Sequence, residues 1–199
     1  MPAIPTTSIS IPTTMAETLN AVLTPLHLLS FSTLLGTQLY QTFIVTKAAH
    51  TALPRSSFTT LQKRLFPLYF RSQSLLLLLA AVTIPWSTSQ SSSSWPTPGL
   101  VTRKGAWIPF AIAGVTAALN LSVFGPRTRS VMIERIHQET RDARKPLLER
   151  DRDLDTIGSE MQALNRSFAR NHAMSIHLNL LSIGAMLWWG WQLSSRLDL

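Results

Sequence analysis

The last apolar run of the chain, Asn171 to Leu193, reads N-H-A-M-S-I-H-L-N-L-L-S-I-G-A-M-L-W-W-G-W-Q-L. About 20 residues of helix cross the hydrocarbon core of a bilayer, so this run is long enough to do so. It is a mixed span, because His172, Ser175, His177 and Asn179 stand in its first third and a tryptophan cluster closes it. Three further runs resemble it in length. Leu19 to Ala49 is interrupted by His27, Gln38, Gln41 and Lys47, Leu65 to Trp86 contains a run of leucines, and Trp107 to Phe124 carries Asn120. The predicted fold class is therefore all-α: a polytopic membrane four-helix bundle with spans over residues 19–49, 65–86, 106–124 and 172–193.

Composition narrows the chemistry. With 0 cysteines, disulfides, thiolate metal sites and cysteine nucleophiles are excluded. The net charge of +8 points first to a membrane, since most of the basic residues share one segment with acids, and no nucleic-acid partner is predicted. Residues 1–18 carry no lysine or arginine, so they lack the charged start of a signal peptide. They read as a disordered, proline-broken tail, with residues 19–199 forming a single membrane domain.

The connections differ in character. Leu53 to Arg64 reads as a short polar link, and the Ser, Thr and Pro of 87–104 as a water-exposed loop. Gly114 and Ala118 have the spacing of close helix contacts, and Gly125-Pro126 is expected to kink the third span. Residues 127–170 hold two helical patterns, Ile133, Ile136, Thr140, Ala143 and Leu147, then Leu154, Ile157, Met161, Leu164 and Phe168. Their 3-4 spacing predicts a helical hairpin between spans three and four, broken at Lys145-Pro146. Within it Glu134-x-x-His137 matches half of a di-iron motif, but such a site needs a second copy and two more glutamates. No phosphate loop, paired acids or catalytic triad is visible, so neither a cofactor, a metal site nor enzymatic activity is predicted.

Four spans put the termini and the 87–104 loop on one side. That side carries three lysines and arginines, against thirteen in the other two connections. Cytosolic loops are the basic ones, so the hairpin is expected in the cytosol and both termini outside it, in an endomembrane or the plasma membrane. Trp86, Trp95, Trp107, Trp188, Trp189 and Trp191 all fall towards the non-cytosolic interface, as an aromatic belt requires. The sequon Asn165-Arg166-Ser167 is then cytosolic and unused.

Counting about 1.5 Å per residue from the cytosolic ends brings polar groups of all four spans to one depth. The candidate polar layer comprises Gln38, Gln41, Arg71, Gln73, Asn120, His172, Ser175, His177 and Asn179. His27, Leu34 and Gln41 recur every seven residues, with Phe31 and Gln38 between them, so they share one stripe that should face protein. On the fourth span His172, Ser175 and Asn179 share a face while His177 points elsewhere, and Arg71 has the length to snorkel to headgroups. Two readings of the layer stand. It is either interhelical glue worth about 0.6 kcal/mol per bond, or a cytosol-facing vestibule for a polar or ionic ligand.

Four blocks of sequence carry a resemblance. G-T-Q-L-Y-Q-T-F, L-P-R-S-S-F-T-T-L-Q-K-R-L-F-P-L-Y-F, N-L-S-V-F-G-P-R-T-R-S-V-M-I-E-R and F-A-R-N-H-A-M-S-I-H-L-N-L resemble, in this order, the transmembrane protein 205 family, including its fungal members. The resemblance implies a small four-helix integral membrane protein of unassigned activity and supplies no catalytic residues. Its matching positions include Gln38, Asn120, His172, Ser175 and Asn179. The function expected is transport- or efflux-associated, through the polar layer and with lipid and a second copy as partners. The alternative is a membrane-anchored interaction protein that offers the 127–170 hairpin to a cytosolic protein.

Overall fold

The computed structural model describes residues 12–85, 105–144 and 154–195, and these are almost wholly helical. Helix α1 spans Pro12–Leu39 and passes through a π-helical turn, Tyr40–Val45, into α2, Thr46–Ala52. Helix α3 spans Arg55–Val82. Helix α4, Trp107–Leu119, runs through a second π-turn, Asn120–Phe124, into α5, Gly125–Arg144. The last helix, α6, covers Leu154–Ser194. The loop expected at 87–104, Trp86 and the hairpin break at Lys145-Pro146 lie outside the described residues, as do positions 1–11 of the tail.

Several boundaries depart from the sequence reading, each for a local reason. Helix α1 begins at Pro12 rather than after residue 18, and proline costs nothing at a first helical position, where its missing N–H has no partner anyway. The polar link is reduced to a sharp corner at Leu53 and Pro54. Leu53 is extended (φ −110°, ψ 142°), as the residue before a proline prefers, and α3 restarts at Arg55. At Gly125-Pro126, where a kink is expected, the third helix runs on to Arg144, and its irregularity is the π-turn just before it. The Gly125 N–H bonds Asn120 O, and a Cβ on Gly125 would lie 2.5 Å from that oxygen and 3.4 Å from the Phe70 ring. Only glycine closes this turn against α3.

Among the described residues three stretches are long and apolar enough to cross a membrane: Glu17–Ala52, Arg55–Val82 and Trp107–Arg144. Helix α6 is not among them, because the histidines, Asn179 and the indole nitrogens dilute its apolar half. At 41 residues it is about 60 Å long, roughly twice the hydrocarbon thickness. One half packs against α4 and α1, the other against α5. The outward surface is apolar along the whole bundle, with Leu29, Leu68, Leu75, Leu78, Val115, Leu181 and Trp191 all more than half exposed. A surface of this kind is suited to lipid and not to water. The chain is thus a multi-pass integral membrane protein, built of helices among the described residues.

The interior divides in two. Towards the chain termini, Phe31, Leu34, Leu77, Ala80, Phe110, Ala113, Ala117, Met186 and Trp189 form the apolar core. Ala113 and Ala117 make the close helix contact; Gly114 has nothing near it and Ala118 is exposed, so the predicted pair lies one residue off the true face. Trp189 is likewise not an interface residue. It is fully buried, and Gly190 beside it lets the Phe31 ring approach to 3.1 Å of where a Cβ would stand. The α5–α6 contact is more polar than its predicted seam. Thr140 and Ala143 are exposed while Thr128, Met132 and Gln138 are buried. Gln138 Nε2 donates to Asp142 (3.0 Å) and across to Glu160 (3.1 Å), and the Arg135 guanidinium covers the Phe168 ring at 4.9 Å. Leu147 and the side chains of Leu154 and Ile157 lie outside the described residues.

Candidate functional site

The heptad stripe of α1 faces inward: His27, Phe31, Leu34, Gln38 and Gln41 are all buried. Its two polar levels have different fates. Near the termini, His27 Nδ1 lies 2.8 Å from Ala80 O, and Trp189 Nε1 donates to His27 Nε2 at 3.1 Å. A carbonyl only accepts and an indole N–H only donates, so the imidazole is neutral with its hydrogen on Nδ1. Ala80 O belongs to the last turn of α3, whose carbonyls lose their helical donors where Pro85 stops the helix. His27 caps that helix end from across the bundle, and the Phe31, Phe110 and Trp189 rings enclose it.

About three turns along α1, a second polar cluster joins three helices. Gln38 Nε2 donates to Ser182 Oγ at 3.0 Å and Gln73 Nε2 to the same oxygen at 3.2 Å. Asn179 Oδ1 accepts from Tyr69 Oη at 2.7 Å and, more loosely, from Gln73 Nε2 at 3.5 Å. Asn179 Nδ2 donates to Thr42 Oγ1 at 2.8 Å. One turn away a separate link joins Asn120 Nδ2 to Ser175 O at 3.1 Å. Gln38, Gln73, Ser182 and Asn120 are essentially inaccessible. Even so, Gln38 Oε1, Gln73 Oε1, Asn120 Oδ1 and Gln41 Nε2 meet no hydrogen-bond partner among the described residues.

Of the predicted layer, Gln38, Gln73 and Asn179 come together, Asn120 and Ser175 pair nearby, and Gln41 is buried beside Thr42. His172 instead packs among the rings of Phe66 and Phe168. Arg71 and His177 are exposed on the outside of the bundle and do not join the layer, because each lies on the far face of its helix. The predicted layer does not include Tyr69, Thr42 or Ser182: a tyrosine and two small hydroxyls are unremarkable in an apolar run, and only the fold brings them to Asn179 and the glutamines. Gln62, buried with both amide atoms unpartnered among the described residues, also lies outside the predicted layer. Glu134 and His137 are exposed on α5, with no third ligand: no group of three His, Cys, Asp or Glu gathers among the described residues.

Both π-turns fall at this level. The first holds Gln41 and Thr42 and the second begins at Asn120. A π-turn inserts one residue and leaves a carbonyl displaced, and such turns concentrate at functional sites. In the first, Gln41 O accepts from both the Thr46 N–H and Thr46 Oγ1, the latter at 2.9 Å.

Residues 29–137, which include both π-turns, match the model of a domain of unknown function, DUF4149. The chain belongs to the DUF4149 family. It is also 38% identical over 183 residues to xanthocillin biosynthesis cluster protein D of Aspergillus fumigatus, an alignment covering 91% of this chain and 94% of that protein. No solved structure gives a significant match. The DUF4149 match takes in the belt residues of α1, α3 and the second π-turn, while Asn179 and Ser182 of α6 lie beyond it.

Proposed function

We propose that the chain crosses the membrane four times, with α6 from about residue 172 as the fourth span. Both termini then face away from the cytosol and residues 127–170 form a cytosolic helical hairpin. The four quoted sequence blocks support kinship with the transmembrane protein 205 family. In that frame the belt of Gln38, Gln73, Asn179 and their hydroxyl partners is the working part of a small, non-enzymatic, transport- or efflux-associated protein. It acts as an oligomer, since so few helices enclose little space. The observation that carries this reading is the set of buried amide oxygens without partners, Gln38 Oε1, Gln73 Oε1 and Asn120 Oδ1, at the level of two π-turns. Pure packing glue pairs its polar atoms, because each unpaired buried group costs about 1 to 3 kcal/mol. A belt that engages a passing polar group leaves some free. A relative named for a biosynthesis cluster agrees with a membrane step that handles a small molecule.

Methionine matches glutamine in shape and removes its amide. Reconstituted in liposomes, the wild-type protein should admit small polar fluorescent solutes faster than empty vesicles do, and Gln38→Met with Gln73→Met should reduce that flux to the empty-vesicle rate. Equal flux through wild type and the double variant at equal protein content would sink the proposal.

The second reading is an adaptor acting through α5 and the first half of α6. It is favoured by a groove of about 510 Å³ lined by Glu134, His137, Thr140, Arg141 and Arg144. Deleting residues 129–166 separates the two, since a transporter keeps part of its flux and an adaptor keeps none of its binding.

A further inference from the structure

The outward surface of α6 carries a second groove, of about 460 Å³, beside α4 and lined by Ile112, His177, Leu180, Leu181, Gly184 and Trp188. From His177 to Trp188 it extends roughly 16 Å along the helix. Its side chains are apolar apart from the His177 imidazole and the indole N–H of Trp188. His177 Nδ1 lies 2.6 Å from Ala173 O, one turn earlier, and a carbonyl only accepts, so Nδ1 carries the hydrogen. In the neutral ring Nε2 is a bare acceptor, and no donor among the described residues meets it. Acyl chains have no donor either, so hydrocarbon packed in the groove leaves this nitrogen unsatisfied. Midway along the groove Gly184 adds no side chain, and a Cβ there would touch nothing within 4 Å. The wall is therefore recessed and smooth, with the exposed Trp188 ring at its far end.

We propose that this groove binds a sterol-class molecule, a rigid flat apolar body with one hydroxyl. The hydroxyl donates to His177 Nε2, and the ring system lies over Gly184 towards Trp188. With α6 placed as the fourth span, His177 lies roughly 8 Å inside the entry at His172. That depth suits a hydroxyl held near the headgroups with its body pointing to the bilayer centre. A rigid body also loses less conformational freedom on docking than an acyl chain does. The inference rests on the membrane placement of α6 but not on a working belt, so either can fail without the other.

The test uses the full chain in phosphatidylcholine nanodiscs with a photoactivatable sterol. Labelling is expected within residues 174–188, and a ketone analogue that cannot donate should label about tenfold less at matched concentration. His177→Leu should abolish the difference between hydroxyl and ketone probes, and His177→Gln, which keeps an acceptor, should retain it. Gly184→Leu should block both probes. Equal labelling of the wild type by hydroxyl and ketone probes would overturn the proposal, and because it needs no variant it holds even if a variant misfolds. Labelling confined to another helix, or a sterol-independent crosslink between two copies through this groove, would overturn it as well.

Discussion

The His27 level and the Gln38–Gln73–Asn179 level are both buried, both polar and both held between α1, α3 and α6, yet they differ in how their hydrogen bonds are completed. At His27 each ring nitrogen has a partner, one a helix-end carbonyl that also accepts a longer bond from Thr83 Oγ1 at 3.4 Å, the other a buried indole N–H. At the belt, two amides converge on one serine hydroxyl while their own oxygens bond nothing among the described residues. A saturated polar cluster is a fastening. An unsaturated one between π-turns is a place where the protein has kept capacity to bond something else. Burial alone would have put the two in one class.

The sharpest way to break this comparison is at the fastening. Trp189→Ala should destabilise the detergent-solubilised protein by about 3 to 5 kcal/mol, because it empties a fully buried site and strips His27 of its donor. His27→Leu should follow at about 2 to 4 kcal/mol, leaving a buried indole N–H unpaired and the Ala80 carbonyl with only its long bond from Thr83 Oγ1. Chemical unfolding monitored by tryptophan fluorescence measures both. A loss below 1 kcal/mol for either would mean that His27 is not a structural cap.

How much of this was legible in the sequence follows from the same contrast. The seven-residue recurrence of His27, Leu34 and Gln41 identified the inward stripe, because helical periodicity reports which face is buried. It did not reveal the cap, since nothing in the local sequence links His27 to Ala80 or Trp189, 53 and 162 residues away. Trp189 looked like an interfacial residue because two other tryptophans flank it; only its phase on α6, opposite the exposed Trp188 and Trp191, places it inside. Depth counting found Gln38, Gln73 and Asn179, but depth is blind to helix rotation, so it also swept in Arg71 and His177 from the outer face. The π-turns are invisible to periodicity, and each shifts the register of everything beyond it relative to what precedes it.

A smaller effect is expected in the belt. Asn179→Ala should cost about 1 to 2 kcal/mol, less than either fastening variant, although Asn179 touches Tyr69, Thr42 and Gln73. The same unfolding measurement ranks it. A loss equal to that of Trp189→Ala would place the belt with the fastening and remove the distinction.

With 0 cysteines in the chain, single cysteines can test directly whether the belt opens to water. Gln38→Cys and Gln73→Cys in reconstituted protein should react with a small charged thiol reagent added from the side bearing the 127–170 segment, and Ala80→Cys and Met186→Cys in the apolar core should stay silent. Cysteines at 38 and 73 as unreactive as those at 80 and 186 would contradict a working belt and leave it as packing.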